Sequence, residues 1–280
     1  MHVRIARSAA AAWRACAAAA LVAALIGVGP SLSAQRFRRS FRMATAESFD
    51  GAFQFCRAAY RGNRGGRGSG WSTDYPNADL NLSTRLGELT KTPISIDKGT
   101  RAPNHVIVEL TDPLLFRCPW VMMAEVGTLY FNPLDVVNLR AYLTKGGFLW
   151  VDDFWGQFAW DNWEHEIGKV LPAGQYPIRD LPLDHTIFHQ VYTVARIPQI
   201  PSINYWLGSG GDTSERGADS RPPHVRGIVD ERGRLMVLMT HNTDIGDSWE
   251  REGVSHDYFL SFSVEGYALG VNALVYAMTH

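Results

Sequence analysis

The sequence predicts an α/β protein built on a doubly wound, mostly parallel sheet. Three observations carry that expectation. Apolar runs of strand length recur, as HVIVEL (105–110), PWVMMAE (119–125) and FLWVDD (148–153). Stretches of helical character stand between and after them, giving the strand–helix alternation of a layered α/β fold. FLWV is also apolar on both of its faces, as a strand covered by helices on either side must be. The composition agrees: 280 residues, 46% hydrophobic and 20% charged, with a formal net charge of −1. A nearly neutral chain has no bulk attraction for polyanions, so no nucleic-acid partner is expected.

Taken in order, the chain begins with a segment unlike the rest. Arg4, Arg7 and Arg14 lead into an alanine-rich apolar run from Ala15 to Gly29, followed by Ser31 and Ser33. A basic start, a short apolar core and small residues make residues 1–34 a secretory signal peptide, and the protein an exported one, periplasmic or extracellular. At roughly 15 residues the run is short for a bilayer of about 30 Å, so membrane contact is expected only if this segment stays uncleaved. Residues 35–50, with Arg36, Arg38, Arg39 and Arg42, read as a basic flexible tail. Residues 51–280 show no repeat and no linker, and read as a single domain.

Within that domain, Phe53–Tyr60 partly alternates and is a first strand. The glycine-rich loop GNRGGRGSG (62–70) lacks the Lys-Ser/Thr ending of a phosphate-binding loop and reads as surface. Asn77 caps a helix carrying Leu80, Leu82, Leu86 and Leu89. An extended piece around Ile94–Ile96 precedes HVIVEL and PWVMMAE. Pro133 opens a helix through Leu143, stopped by Lys145-Gly146-Gly147. After FLWVDD comes a helix from about Phe158 to Val170, then a loop holding Pro177 and Pro182. HVRGIVDERGRLMVLMTHN forms a hairpin about DERG. A closing helix runs from Phe262 to Met278 with Val264, Ala268, Val271, Val275 and Met278 on one face, and Gly266 and Gly270 permit it to approach the sheet. Cys56 and Cys118 could bridge in an oxidising compartment or remain two small buried hydrophobes.

Three stretches hold candidate chemistry. Ligands of open α/β sheets sit beyond the carboxyl ends of the strands, where Asp152 and Asp153 fall, next to Phe154, Trp155, Phe158, Trp160 and Trp163. Neighbouring strand residues point to opposite faces, so at most one of the two aspartates aims into a given cleft. The alternative is that one of them caps the following helix. In MTHNTDIGDSWERE (239–252), His241, Asn242, Asp244, Asp247, Glu250 and Arg251 crowd a strand-to-loop junction, as a catalytic site or as a buried bracing network. A metal there would take His241 with Asp244 or Asp247, but the spacing matches no calcium loop or HExxH pattern, so no metal or other cofactor is expected. In TSERGADSRPPH (213–224), Glu215, Arg216, Asp219 and Arg221 either neutralise one another at the surface or fold over the cleft as a lid. His185 and His189 are loop histidines of structural type. No G-x-S-x-G or equivalent cysteine elbow occurs, so covalent catalysis has no support.

The stretches WSTDYPNADLN, GGFLWVDDFWG, QIPSINYW, TSERGADS, MTHNTDIGDSWERE and GYALGVNALVYAMTH together resemble the bacterial family called domain of unknown function 4159, from about Phe53 to His280. The resemblance implies a class I glutamine amidotransferase-like fold with flavodoxin-like layers. It implies no amidotransferase activity, because that superfamily's cysteine elbow is missing, and it brings no established reaction.

The expected cleft draws on Asp153, Trp155, His241, Asn242, Asp244 and Glu250. Asp153, His241 and Asp247 are the candidates for acid–base chemistry. Asp152, Trp155, Trp160, Asn242, Asp244, Glu250, Arg251, Glu215 and Arg216 are the candidates for ligand contact. Two functions stay open. One is a cell-envelope ligand-binding or scaffolding protein for a polar polymer such as glycan, or for a small polar ligand, with Trp155, Trp160 and Trp163 facing sugar rings. The other is a hydrolase in which Asp153 or Asp247 activates water while His241 and Arg251 steady charge. Burial of the tryptophans separates them: exposed rings favour polymer binding, packed rings beside a closed acidic pocket favour chemistry.

Overall fold

A computed structural model describes residues 41–62 and 70–280. The expected signal peptide, Arg36, Arg38, Arg39 and most of the glycine-rich loop lie outside the described residues. The strands are β1 (Phe55–Ala59), β2 (Arg61–Gly62), β3 (His105–Glu109), β4 (Trp120–Ala124), β5 (Leu129–Tyr130), β6 (Phe148–Phe154), β7 (Arg179–Asp180), β8 (His224–Val229) and β9 (Leu235–His241). The longer helices are α1 (Asn77–Thr90), α2 (Pro133–Thr144), α3 (Gly156–Val170), α4 (Ile203–Ser209), α5 (Ile245–Glu250) and α6 (Val264–Thr279).

Seven strands form one sheet in the order β3-β1-β4-β6-β9-β8-β7. From β3 to β9 every pairing is parallel; β8 returns antiparallel to β9 as the expected hairpin, and β7 adds antiparallel to β8. β2 and β5 make a separate antiparallel ribbon. Strand periodicity divides the core. Trp120, Met122, Phe148, Trp150 and Leu238 face a layer containing Leu82 and Leu86 of α1, Trp249 of α5 and Leu274 of α6. Val121, Met123, Leu149, Val151 and Val237 face the opposite layer, with Leu139 and Leu143 of α2 and Trp163 and Ile167 of α3. This is the doubly wound α/β arrangement the apolar runs predict.

Local chemistry places the helices with some departures. Asn132 caps α2 by accepting from Leu134 N (2.8 Å) and Asp135 N (3.0 Å), and Pro133 fills the first helical position. Asn77 is itself the first residue of α1, with Pro76 at the cap, so the expected Asn77 cap is not formed. Helix α3 starts at Gly156, two residues before the expected Phe158. Helix α6 follows a π-helical turn at Phe259–Ser263; Val264 is exposed, and the buried face carries Leu269, Val271, Ala273 and Leu274. Gly266 and Gly270 do allow close packing, against α5 rather than the sheet. A Cβ at Gly266 would lie 1.9 Å from Ser248 Oγ, and one at Gly270 would lie 2.7 Å from the Trp249 ring. The reason is Trp249, which stands between α6 and the sheet with its ring 5.5 Å from that of Trp150.

Cys56 of β1 and Cys118, two residues before β4, form a disulfide. In the stretch expected as tail, Arg42 O accepts from Ile107 N (2.9 Å) and Ala44 N donates to Ile107 O (2.8 Å), extending the edge of β3. Among the described residues no helix is long and apolar enough to cross a membrane.

Candidate functional site

Strands β4, β6 and β9 finish side by side, and each end bears a non-glycine residue with positive φ: Glu125 (51°), Asp153 (56°) and Asn242 (61°). Such conformations cost on the order of 1 kcal/mol each and persist where the surroundings enforce them, often at functional sites. Here the enforcing contacts are visible. Glu125 N donates to Asp152 O (3.0 Å), Asn242 N donates to Phe154 O (3.0 Å), and the β6–β9 register shifts between Val151 and Phe154. The backbone therefore turns sharply at each strand end and holds a polar side chain beyond the sheet.

A cleft of about 360 Å³ opens above β4 and β6. Glu125, Asp153, Trp155 and Phe158 line one part of it, and Glu215, Arg216 and Asp219 the other. Asp153 Oδ1 accepts from Trp155 Nε1 (2.9 Å). Burial, then the charges of Asp74, Glu125 and Asp152, hold the Asp153 carboxyl well above the usual carboxylate range. Burial also raises Glu125, opposed by the Gly70 N–H (2.6 Å), by Thr73 and by the Arg216 charge. Glu215, Arg216 and Asp219 bring the segment TSERGADS to the lining of the cleft. Glu215 Oε1 accepts from Ser202 N (2.7 Å), and the Ser214 and Ser220 hydroxyls meet at 2.8 Å. Asp219 Oδ2 accepts from Gln157 N (3.2 Å). Gly156, at φ 80°, makes that approach possible, since a Cβ there would lie 2.3 Å from Asp219 Oδ2.

A family model described as Domain of unknown function (DUF4159) matches residues 54–278. The chain belongs to this family. The matched span contains every strand-end residue named above. No curated protein matches the chain.

Asp152 does not line the cleft: it accepts from Thr240 Oγ1 (2.5 Å) and Gly246 N (2.9 Å), and burial lifts its carboxyl to about 7. Asp244 caps α5 through Asp247 N (2.8 Å) and is held well above the usual range by burial and by Asp153, Asp74 and Asp247. Asp247 accepts from Ile203 N (2.7 Å) and Tyr258 OH (3.0 Å), and burial raises it to about 6. Glu250 pairs with Arg251 at 2.7 Å, and Arg251 also reaches Asp247 at 3.5 Å. His241 is not beside Asp244 or Asp247. Its ring packs on Phe154 (4.9 Å) and Trp160 (5.2 Å), Nε2 meets Gly156 O (3.2 Å), and burial pushes the imidazole down to about 4.

Neither Asp152 nor Asp153 caps α3. That task falls to Asn242, whose Oδ1 accepts from Gly156 N (2.8 Å), and to Asp219. Asn242 also donates to Pro222 O (2.9 Å), so its amide is committed to bracing. Trp163 is wholly buried, Trp155 is 8% exposed, and Trp160 is covered by the Arg226 guanidinium 4.0 Å from its ring centre. Sequence reasoning passed over two carboxylates. Glu125 was legible, since PWVMMAE is an apolar run ending in an acid just as FLWVDD is. Asp74 lies in a loop before α1 and carries no comparable signal.

Proposed function

We propose that this protein is an exported cell-envelope protein whose strand-end cleft binds a polar, hydroxyl-rich ligand such as a glycan. The observation that carries this reading is the lining of the cleft. Phe158, 77% exposed, offers a flat apolar face beside Asp153, Glu125, Glu215 and Arg216, which can donate to and accept from hydroxyls. The three tryptophans are packed or covered, an outcome that counts towards chemistry rather than polymer binding. The binding reading therefore takes Phe158 as its ring platform instead. Export is supported by the amino-terminal pattern and by the Cys56–Cys118 bridge, which suits an oxidising compartment.

A second reading, hydrolysis by carboxylate acid–base chemistry, draws on a different observation. Asp153 and Glu125 face one cleft from strained backbone, and burial favours the protonated form of Asp153, as a general acid requires. His241 and Asp247 have no part in that pair. The test is calorimetric titration of the mature protein with soluble envelope glycan fragments, with product analysis of the same mixtures. Saturable binding that weakens about tenfold in Phe158→Ala, about 1.4 kcal/mol, supports the binding reading. Product that disappears in Asp153→Asn selects the hydrolase. Absence of binding to the whole fragment panel refutes the glycan assignment.

A further inference from the structure

We propose that Asp74, Asp244 and Asp247 form a binding site for a hard divalent cation. The three carboxylates come from the loop before α1, the turn after β9 and the first turn of α5. Each offers an oxygen, and these oxygens all lie within 4.8 Å of one another, with all three residues buried.

Crowded acids alone would indicate only mutual repulsion, and a separate observation points to a ligand. Asp74 is 8% exposed, and its Oδ2 is buried with no hydrogen-bond partner. A buried acceptor without a donor is rare because it forfeits its hydration without replacement. The surroundings nevertheless hold it there. Asp74 has φ 62°, and Arg57 fixes the loop just before it by donating to Trp71 O (3.1 Å) and Thr73 O (2.9 Å). Gly246 keeps the space in front of Asp74 Oδ2 open: a Cβ there would lie 2.4 Å from that oxygen and 3.5 Å from Asp244 Oδ1.

One protein cation touches the cluster, Arg251, at 3.5 Å from Asp247. Arg57 is paired with Asp79, both fully buried, and among the described residues neither Asp74 nor Asp244 has an ion pair. The donor set is oxygen alone, which suits calcium, magnesium or manganese rather than a softer metal taking sulfur or imidazole. The arrangement also has supporting contacts of the kind that orient metal-binding carboxylates: Tyr258 OH and Ile203 N on Asp247, and Asp247 N on Asp244. The ion would tie together the loop before α1, the end of β9 and α5. None of its three residues lines the cleft, although the charges of Asp74 and Asp244 act on Asp153 of the cleft.

The experiment uses mature protein stripped with chelator, dialysed against calcium, magnesium or manganese, and measured for bound metal and for thermal unfolding. The expected result is about one ion per chain for at least one metal, with unfolding raised by several degrees when the ion is at about a hundred times its Kd. Both effects should vanish in Asp74→Asn and persist in Glu231→Gln, at an exposed turn on the hairpin. If Asp74→Asn fails to fold, Asp244→Asn and direct calorimetric titration of the parent take its place. No retained metal and no thermal shift in the parent at millimolar ion would overturn the proposal. So would a metal response that survives Asp74→Asn. No glycan is present, so a failure here leaves the cleft reading intact.

Discussion

Replacing Asp152 with Asn should stabilise the protein above neutral pH. Asp152 is fully buried, and burial raises its carboxyl from the ordinary 3.8 to about 7. The folded state therefore binds a proton that the unfolded chain releases near pH 4, and stability falls as pH rises from about 4 to about 7. At 1.36 kcal/mol per tenfold, the interval from 3.8 to about 7 corresponds to a cost of about 4 kcal/mol once the group is ionised. Asn removes the titration and keeps the shape. Its oxygen can accept from Gly246 N, as Asp152 Oδ2 does at 2.9 Å, and its amide can donate to Thr240 Oγ1 while that hydroxyl donates to Val151 O, now 3.1 Å away. Urea unfolding at pH 5, 6, 7 and 8, with chelator present, should show Asp152→Asn gaining on the parent across this series. The gain should reach about 2–4 kcal/mol at pH 8, the upper limit being the full ionisation cost. A variant no more stable than the parent at pH 8, or one with an unchanged pH slope, would refute the assignment of a buried, protonated Asp152.

Two further expectations concern the frame and the imidazole. Reducing the Cys56–Cys118 bridge, or Cys56→Ser, releases a constraint across a sequence separation of 62 residues. Loop-closure entropy for such a span puts the loss at about 4 kcal/mol, read as a lower urea midpoint; equal midpoints with and without reductant would contradict the bridge. His241, pushed down to about 4, should stay neutral in the fold at pH 5.5, when an unfolded histidine is mostly charged. Its contribution is therefore complete above about pH 6.5 and is lost as pH falls towards 4, opposite in direction to Asp152. An NMR titration of its ring resonances checks this, and a midpoint near 6.5 would mean the ring is not packed as described.

The local sequence carried the architecture because the apolar period and the stop signals act over a few residues. FLWVDD, PWVMMAE and the hairpin about DERG are strands where their patterns place them, and Asn132-Pro133 starts a helix through a cap and a fixed φ. The strand-end rule located Asp153 and, applied evenly, would have located Glu125. It could not tell which of two adjacent acids enters the cleft, because Asp153 sits at φ 56° where the β6–β9 register shifts and strand alternation is interrupted. Asp153 lines the cleft and Asp152 does not.

What the sequence by itself determined was the layered α/β plan and the existence of an acidic strand end, because each depends on side chains within one strand or one helical turn. The tertiary structure alone decided which groups meet. His241 and Asp244 are three residues apart, yet the imidazole goes to Phe154 and Trp160 while the carboxylate turns into α5. Asp74 joins Asp244 and Asp247 across about 170 residues of chain, a long-range closure with no local pattern to announce it. Cys56 reaches Cys118 because β1 inserts between β3 and β4, and strand order is set by how two helical layers cover the whole sheet rather than by any one segment.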